Sequence, residues 1–306
     1  MITITKILCP VDFFPASDAA VSYAAGLAAN YDAMLHLLHV ITPFRPSTYE
    51  YAIDTAEIMK SLEKSAAEDM QKLVGRAQEV GVCSDMEIRI GDVYDEIERA
   101  IEVEKPELII MGTHGRRGME RWFMGSTTEK LLRHSPVPIL TISASAEKLA
   151  PAPRFSRILV TTDFSDGTPD ALEHALSIAG ENDSEITVLH VINDVAVDVS
   201  GKYREPLING VEKRLQDLVP AEAKNWCDVR TRVETGVPYR IILRTLEDGK
   251  IDLLVMNIHG KGILDRALIG STAERVVRAA PCPVMLIPPM KRELERRARP
   301  SGKRAA

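Results

Sequence analysis

Residues 108–127 read LIIMGTHGRRGMERWFMGST. The opening apolar run Leu108-Ile109-Ile110-Met111, with charge before it and glycine after it, is the pattern of a strand buried on both faces. Gly112, Gly115 and Gly125 follow, with Ser126 and Thr127 directly behind the last, a spacing of G-x2-G-x9-G-S-T. Ser126-Thr127-Thr128-Glu129 has the form of a capping box and predicts a helix starting at Ser126. Glycines let backbone N–H groups approach a ligand with no Cβ in the way. A helix start adds unpaired donors and the positive end of the helix dipole. Two glycine turns and a helix start at one strand end therefore point to anion binding, with a phosphate chain as ligand. Taken alone, the same pattern also describes a tight turn before a capped helix.

The chain carries this stretch twice. Leu254-Val255-Met256-Asn257-Ile258-His259-Gly260 leads into Gly270-Ser271-Thr272-Ala273-Glu274, 145 residues after the first occurrence. Upstream, Lys6-Ile7-Leu8 with Asp12-Phe13 returns as Arg157-Ile158-Leu159 with Asp163-Phe164, 151 residues on. Leu38-His39-Val40-Ile41 returns as Leu189-His190-Val191-Ile192 at the same spacing, and Pro136-Val137-Pro138 as Pro281-Cys282-Pro283 at 145. The second copy is thus shorter in its middle. A period this long is a duplicated domain, not a solenoid.

A chain of 306 residues is long enough for two such copies, each with its own core. The net charge of −6 argues against a general nucleic-acid binder, which shows a basic face. No apolar run approaches the roughly 20 residues of a membrane span. The start, Met1-Ile2-Thr3-Ile4-Thr5-Lys6, alternates like a strand and lacks the basic and apolar blocks of a signal peptide. Cys9, Cys83, Cys227 and Cys282 form no C-x2-C pair, so neither a metal nor a redox motif is supported. A cytoplasmic protein with reduced thiols is the expectation.

Read in order, the first copy predicts strands at 4–11, 34–41, 83–90, 108–111 and 137–142. Helices are predicted at 16–30, 55–80, from Asp92 as N-cap, and from Ser126 to His134, with Gly81 ending the second of them. The second copy predicts strands at 158–162, 186–192, 228–234, 251–256 and 284–287, and helices at 169–179, 203–219 and 238–247. Strands alternating with helices imply parallel pairing and right-handed crossovers. Ligands in such sheets bind at the C-terminal strand ends. Asp12, His39 and the 112–126 loop all fall there. The domain boundaries follow as 1–145 and 156–290, with a proline-bearing linker at 146–155 and a charged, basic tail at 291–306 read as a solvated, frayed terminus.

These residues resemble the universal stress protein family in its tandem, ATP-binding form, over nearly the whole chain outside linker and tail. The resemblance rests on Pro10-Val11-Asp12-Phe13, Leu38-His39-Val40, Met111-Gly112-Thr113-His114-Gly115-Arg116, the G-x9-G-S-T spacing and Arg133-His134-Ser135-Pro136-Val137-Pro138. It implies an α/β fold of two tandem Rossmann-like domains of the adenine nucleotide alpha hydrolase-like kind. Each would have a five-stranded parallel sheet of order 3-2-1-4-5 with helices on both faces. It implies ATP as ligand, with Mg, held by Pro10, Asp12, Val40, Met111, Gly112, His114, Gly115, Arg116, Gly125, Ser126 and Thr127. In the second copy it implies Asp163, Val191, Met256, Gly260, Lys261, Gly270, Ser271 and Thr272. Asp12 would contact the nucleoside, Val40 would offer backbone to adenine, and the glycine loop with Ser126 and Thr127 would hold ribose and phosphates. It also implies pairing of the two copies through their last strands as an intrachain pseudo-dimer, with a homodimer of chains as a further option.

Two departures set the second copy apart. Asn257 stands where the first has Gly112, with a side chain expected near the ribose, and Thr162 is read as the replacement for Pro10. Asn tolerates left-handed backbone better than other non-glycine residues. His39 and His190 read as satisfied, partly buried histidines, Glu129 and Glu274 as capping-box partners, and Cys9 and Cys282 as small core residues. No catalytic residue and no metal site emerge. Three functions remain open: a nucleotide-dependent regulatory protein, a slow ATPase, and a nucleotide-free interaction scaffold. No Walker G-x4-G-K-S/T and no G-x-G-x-x-G after the first strand are present.

Overall fold

A computed structural model describes residues 2–43, 55–113, 124–143, 155–193, 204–258, 260 and 269–288. The first half runs β1 (Lys6–Val11), α1 (Pro15–Tyr31), β2 (Met34–Ile41), α2 (Thr55–Glu79), β3 (Ser84–Ile90), α3 (Val93–Glu104), β4 (Leu108–Gly112), α4 (Ser126–His134) and β5 (Ile139–Ile142). The second repeats it as β6 (Arg157–Thr162), α5 (Thr168–Asn182), β7 (Glu185–Ile192), α6 (Arg204–Leu218), β8 (Asp228–Thr235), α7 (Pro238–Asp248), β9 (Leu253–Asn257), α8 (Ser271–Ala279) and β10 (Val284–Ile287). A 3-10 turn at Ala221–Asn225, not foreseen, precedes β8. The linker residues 144–154 and the tail from 289 onward lie outside the described residues.

All ten strands form one sheet in the order β3-β2-β1-β4-β5-β10-β9-β6-β7-β8. Within each half the pairing is parallel and follows 3-2-1-4-5. The halves join where β5 meets β10 antiparallel, with Leu140 opposite Met285 and Thr141 opposite Val284. Thr141 Oγ1 donates to the Val284 carbonyl at 3.1 Å across this seam.

The strands alternate their side chains between two apolar layers. Ile7 and Cys9 of β1 face the layer under α1 and α2, whereas Leu8 faces the layer under α3 and α4. Each layer is continuous across both halves: Leu140 and Met285 share one, Ile139 and Leu286 the other. The alanines of α1 let it lie close on the sheet, and Ala20, Ala24 and Ala28 are fully buried. Helices α1 and α5 end on Asp32 and Asp183, both left-handed (φ 51° and 52°), a conformation Asp tolerates. Gly81 follows α2 at φ +83° as a glycine terminator should. Asp92 caps α3 by accepting the Tyr94 and Asp95 N–H groups. Cys9 and Cys282 are buried in the core, and burial pushes the Cys282 thiol up to about 12. Phe155, counted with the linker from sequence, is a core residue exposed by only 1%.

Candidate functional site

Three strand ends and four helices, α1 to α4, line a cavity of about 790 Å³ in the first half, within the 300–1,000 Å³ range of small-molecule sites. It lies at the C-terminal ends of β1, β2 and β4. Pro10, Asp12, Val40, Met111, Gly112, Gly125, Ser126 and Thr127 all line it. These are every first-half residue marked from the sequence that falls within the described residues; His114, Gly115 and Arg116 lie outside them.

The turn after β1 is built by Asp12. Its Oδ1 accepts the Phe14 N–H at 3.1 Å, and its own N–H donates to Ser17 Oγ at 3.1 Å. Burial, only partly offset by these hydrogen bonds and by His39, raises the Asp12 carboxyl above the ordinary Asp range. The chain then passes through Phe13 at φ 62°, and the second half repeats this at Phe164, φ 58°. An aromatic residue in left-handed backbone stores strain of order 1 kcal/mol or more. In both halves the ring packs on the following strand's histidine, Phe13 on His39 and Phe164 on His190, with centroids 4.5 Å apart. His39 Nδ1 donates to the Val11 carbonyl at 2.8 Å, which leaves Nε2 as the acceptor in the neutral ring.

At the other wall, β4 hands over to α4. Gly125 N–H donates to the Thr113 carbonyl at 2.9 Å, and Thr128 Oγ1 to the Gly112 carbonyl at 3.2 Å. These bonds set the helix start, and they correct the capping-box reading. Gly125 is the N-cap, Ser126 already lies in the first turn, and no side chain caps the helix. Glu129 pairs with Arg133 one turn on, and Glu274 with Arg278 in the same way. Intrahelical bonding starts with Glu129 N–H to the Gly125 carbonyl. The N–H groups of Ser126, Thr127 and Thr128 therefore have no acceptor inside the helix. They and the positive dipole end make this wall one that favours negative charge.

Sequence reading missed the apolar and side walls. Val93 and Ile97 of α3, Leu62, Ser65 and Asp69 of α2, and Phe13 also line the cavity. The i, i+4 spacing of Val93 and Ile97 signals an inward face without telling that its upper end meets the cavity.

The second half keeps the same frame. Gly270 N–H donates to the Ile258 carbonyl at 3.0 Å and caps α8, with Ser271 and Thr272 in the first turn. Asp163 Oδ1 accepts the Ser165 N–H at 2.9 Å. Gly260 lies against that carboxylate, so that a Cβ there would stand 2.8 Å from Asp163 Oδ2. Met256 is buried and Val191 partly so at the ends of β9 and β7. Lys261 lies outside the described residues. Two readings change. Strand register matches Pro10 (opposite Leu38) with Thr161 (opposite Leu189), so Thr161, not Thr162, replaces the proline. Thr162 instead bonds Thr168 through their hydroxyls at 2.7 Å. The Asn257 side chain packs toward Gly167 at the head of α5 rather than standing free in a ribose space.

Among the described residues no cluster of three metal-ligating side chains occurs, and no helix is long and apolar enough to cross a membrane.

Similarity to known proteins agrees with this architecture. The profile of the Universal stress protein family matches residues 3–143 and again 154–288. A universal stress protein of Mycolicibacterium smegmatis is 29% identical over 293 residues, which cover 92% of this chain and 97% of that one. Another, from Methanocaldococcus jannaschii, is 33% identical over 145 residues, 45% of this chain and 85% of its own. The crystal structure of a universal stress protein from Archaeoglobus fulgidus shares the fold with a TM-score of 0.70 at 22% identity, over 92% of this chain and 98% of that one. With two family matches that together span most of its length, the chain belongs to the universal stress protein family.

Proposed function

We propose that the first half binds ATP, with Mg, and that occupancy biases the assembly or partner contacts of a stress-response regulator. The observation that carries this reading is the convergence of eight motif residues from four separate segments on a single 790 Å³ cavity. Its walls suit the parts of a nucleotide. The α4 N-terminus offers unpaired N–H groups to phosphate. Val93, Ile97 and Met111 offer an apolar surface to a base, and the end of β2 at Val40 offers backbone. Asp12 offers Oδ2 to a hydroxyl, since Oδ1 is engaged in its own turn. His114, Gly115 and Arg116 complete the proposed set from the segment between β4 and α4.

The test is mass spectrometry of small molecules released from freshly purified, denatured protein, with stoichiometry, followed by titration with ATP and Mg. Bound adenine nucleotide supports the reading. Its absence, with no binding on titration, overturns it in favour of a scaffold. ADP accumulating in the same titration would point to slow hydrolysis.

A further inference from the structure

The duplication allows the two halves to be compared position by position. Leu35 pairs with Ser84 and its counterpart Ile186 with Val229. Counting back from these strands, the fully buried Met70 and Leu215 hold the same place on α2 and α6. The preceding residues, Asp69 and Arg214, are therefore equivalent. Asp69 lines the first-half cavity. Arg214 does something else: its guanidinium carbon lies 4.3 Å from the centre of the Phe164 ring. The counterpart ring, Phe13, is 37% exposed and faces the cavity. Among the described residues no cation lies over it.

A guanidinium is planar, delocalised and positive, and it stacks on aromatic faces much as a flat heterocycle does. Both phenylalanines are held in strained, left-handed backbone against a histidine, so both rings are presented in the same manner. Beyond its histidine, Phe164 carries a planar guanidinium from its own chain, whereas among the described residues Phe13 carries none. We infer that Phe13 is the platform on which the first half stacks the planar base of its ligand, and that Arg214 fills the equivalent place in the second half, so that the chain takes one nucleotide and not two. The inference rests on the nucleotide reading of the first half.

The two positions permit a reciprocal exchange. Arg214 is exposed, and the Asp69 side chain is 43% exposed, so neither substitution threatens folding. ATP binding in the presence of Mg is measured by equilibrium dialysis on the full chain. The parent should bind one equivalent, and Arg214→Asp two. Asp69→Arg should weaken first-half binding about tenfold, and clearly more than Asp69→Lys does at the same cavity-lining position. A cation near a triphosphate attracts it, so a larger loss with Arg than with Lys marks a planar plug and not a charge effect. Phe13→Leu, which keeps bulk but removes the π face, should also lose about tenfold.

Two equivalents in the parent, one equivalent in Arg214→Asp, or undiminished affinity in Asp69→Arg would each overturn the inference. If the parent binds none, the first-half reading fails, and Arg214→Asp still decides: one equivalent gained upholds the plug, and none overturns it too.

Discussion

Asn257 and Gly167 are packed against each other at the head of α5: a Cβ added to Gly167 would stand 3.2 Å from both Cγ and Oδ1 of Asn257. In the first half the small residue sits on the other partner. A Cβ on Gly112 would lie 2.8 Å from the backbone carbon of Ala16 and 2.9 Å from its oxygen. Each half thus keeps one glycine at this contact, on the strand in one and before the helix in the other. The consequence is a ranking. Gly112→Ala meets backbone that cannot rotate away and should cost about 1–3 kcal/mol. Gly167→Ala meets a side chain and should cost less, with the cost removed when Asn257→Ala is added. Asn257 Oδ1 is buried without a hydrogen-bond partner among the described residues, so Asn257→Ala alone should be neutral or stabilising. Urea denaturation of the single and double variants checks all three.

Gly125→Asp separates the site from the fold. At the N-cap of α4 an Asp side chain can accept the first-turn N–H groups that glycine leaves free, adding a few tenths of a kcal/mol. The same carboxylate removes those donors from a phosphate and repels it. Thermal denaturation should show no loss of stability, while ATP titration should show at least tenfold weaker first-half binding. Wild-type affinity in this variant would mean that phosphate does not sit on α4.

Acid sensitivity should trace in part to His174. It lies in α5 near the junction of the halves, with Ile2, Tyr31 and Met285 beside it. Burial lowers its pKa below the ordinary 6.5, against the opposing pull of its hydrogen bond to Asp170 and the charges of Glu173 and Asp170. The unfolded chain then binds more protons than the folded one between the lowered pKa and 6.5. Stability therefore rises with pH through that window and is fully present above 6.5. The urea midpoint should fall between pH 7.5 and 5.5, and His174→Gln should flatten that fall. An unchanged slope would remove His174 from the account.

Phe155→Ala should be among the costliest single changes outside the strands. The ring is 1% exposed, and its carbonyl accepts the Ser184 hydroxyl, so the residue ties the entry of the second half to the β7 end of α5. Truncating a buried Phe costs about 3–5 kcal/mol. A calorimetric midpoint within a degree of the parent would show that the segment is not anchored there.

The glycine stretch and its echo were legible because chemistry at strand ends demands particular residue types. The helix start was not legible to the residue. Ser126-Thr127-Thr128-Glu129 has every local mark of a capping box, yet Gly125 takes the cap because the Thr113 carbonyl and Thr128 hydroxyl, bonds between helix and strand, hold it there. Glu129 and Glu274 then find arginines one turn on. The direction of Asn257 was equally hidden, since it depends on the absence of a side chain at Gly167, 90 residues away in sequence.

What the sequence by itself determined is the alternation of strands and helices, the duplication and the strand-end residues, because periodicity, glycine and capping residues act over a few positions. Tertiary structure decided what depends on meetings between distant segments. It joined β5 and β10 into one ten-stranded sheet, gathered α2, α3 and β1 around a single cavity, and laid Arg214 on Phe164, whereas among the described residues no cation lies on Phe13. Those contacts follow from shape and packing in three dimensions, which no local pattern encodes.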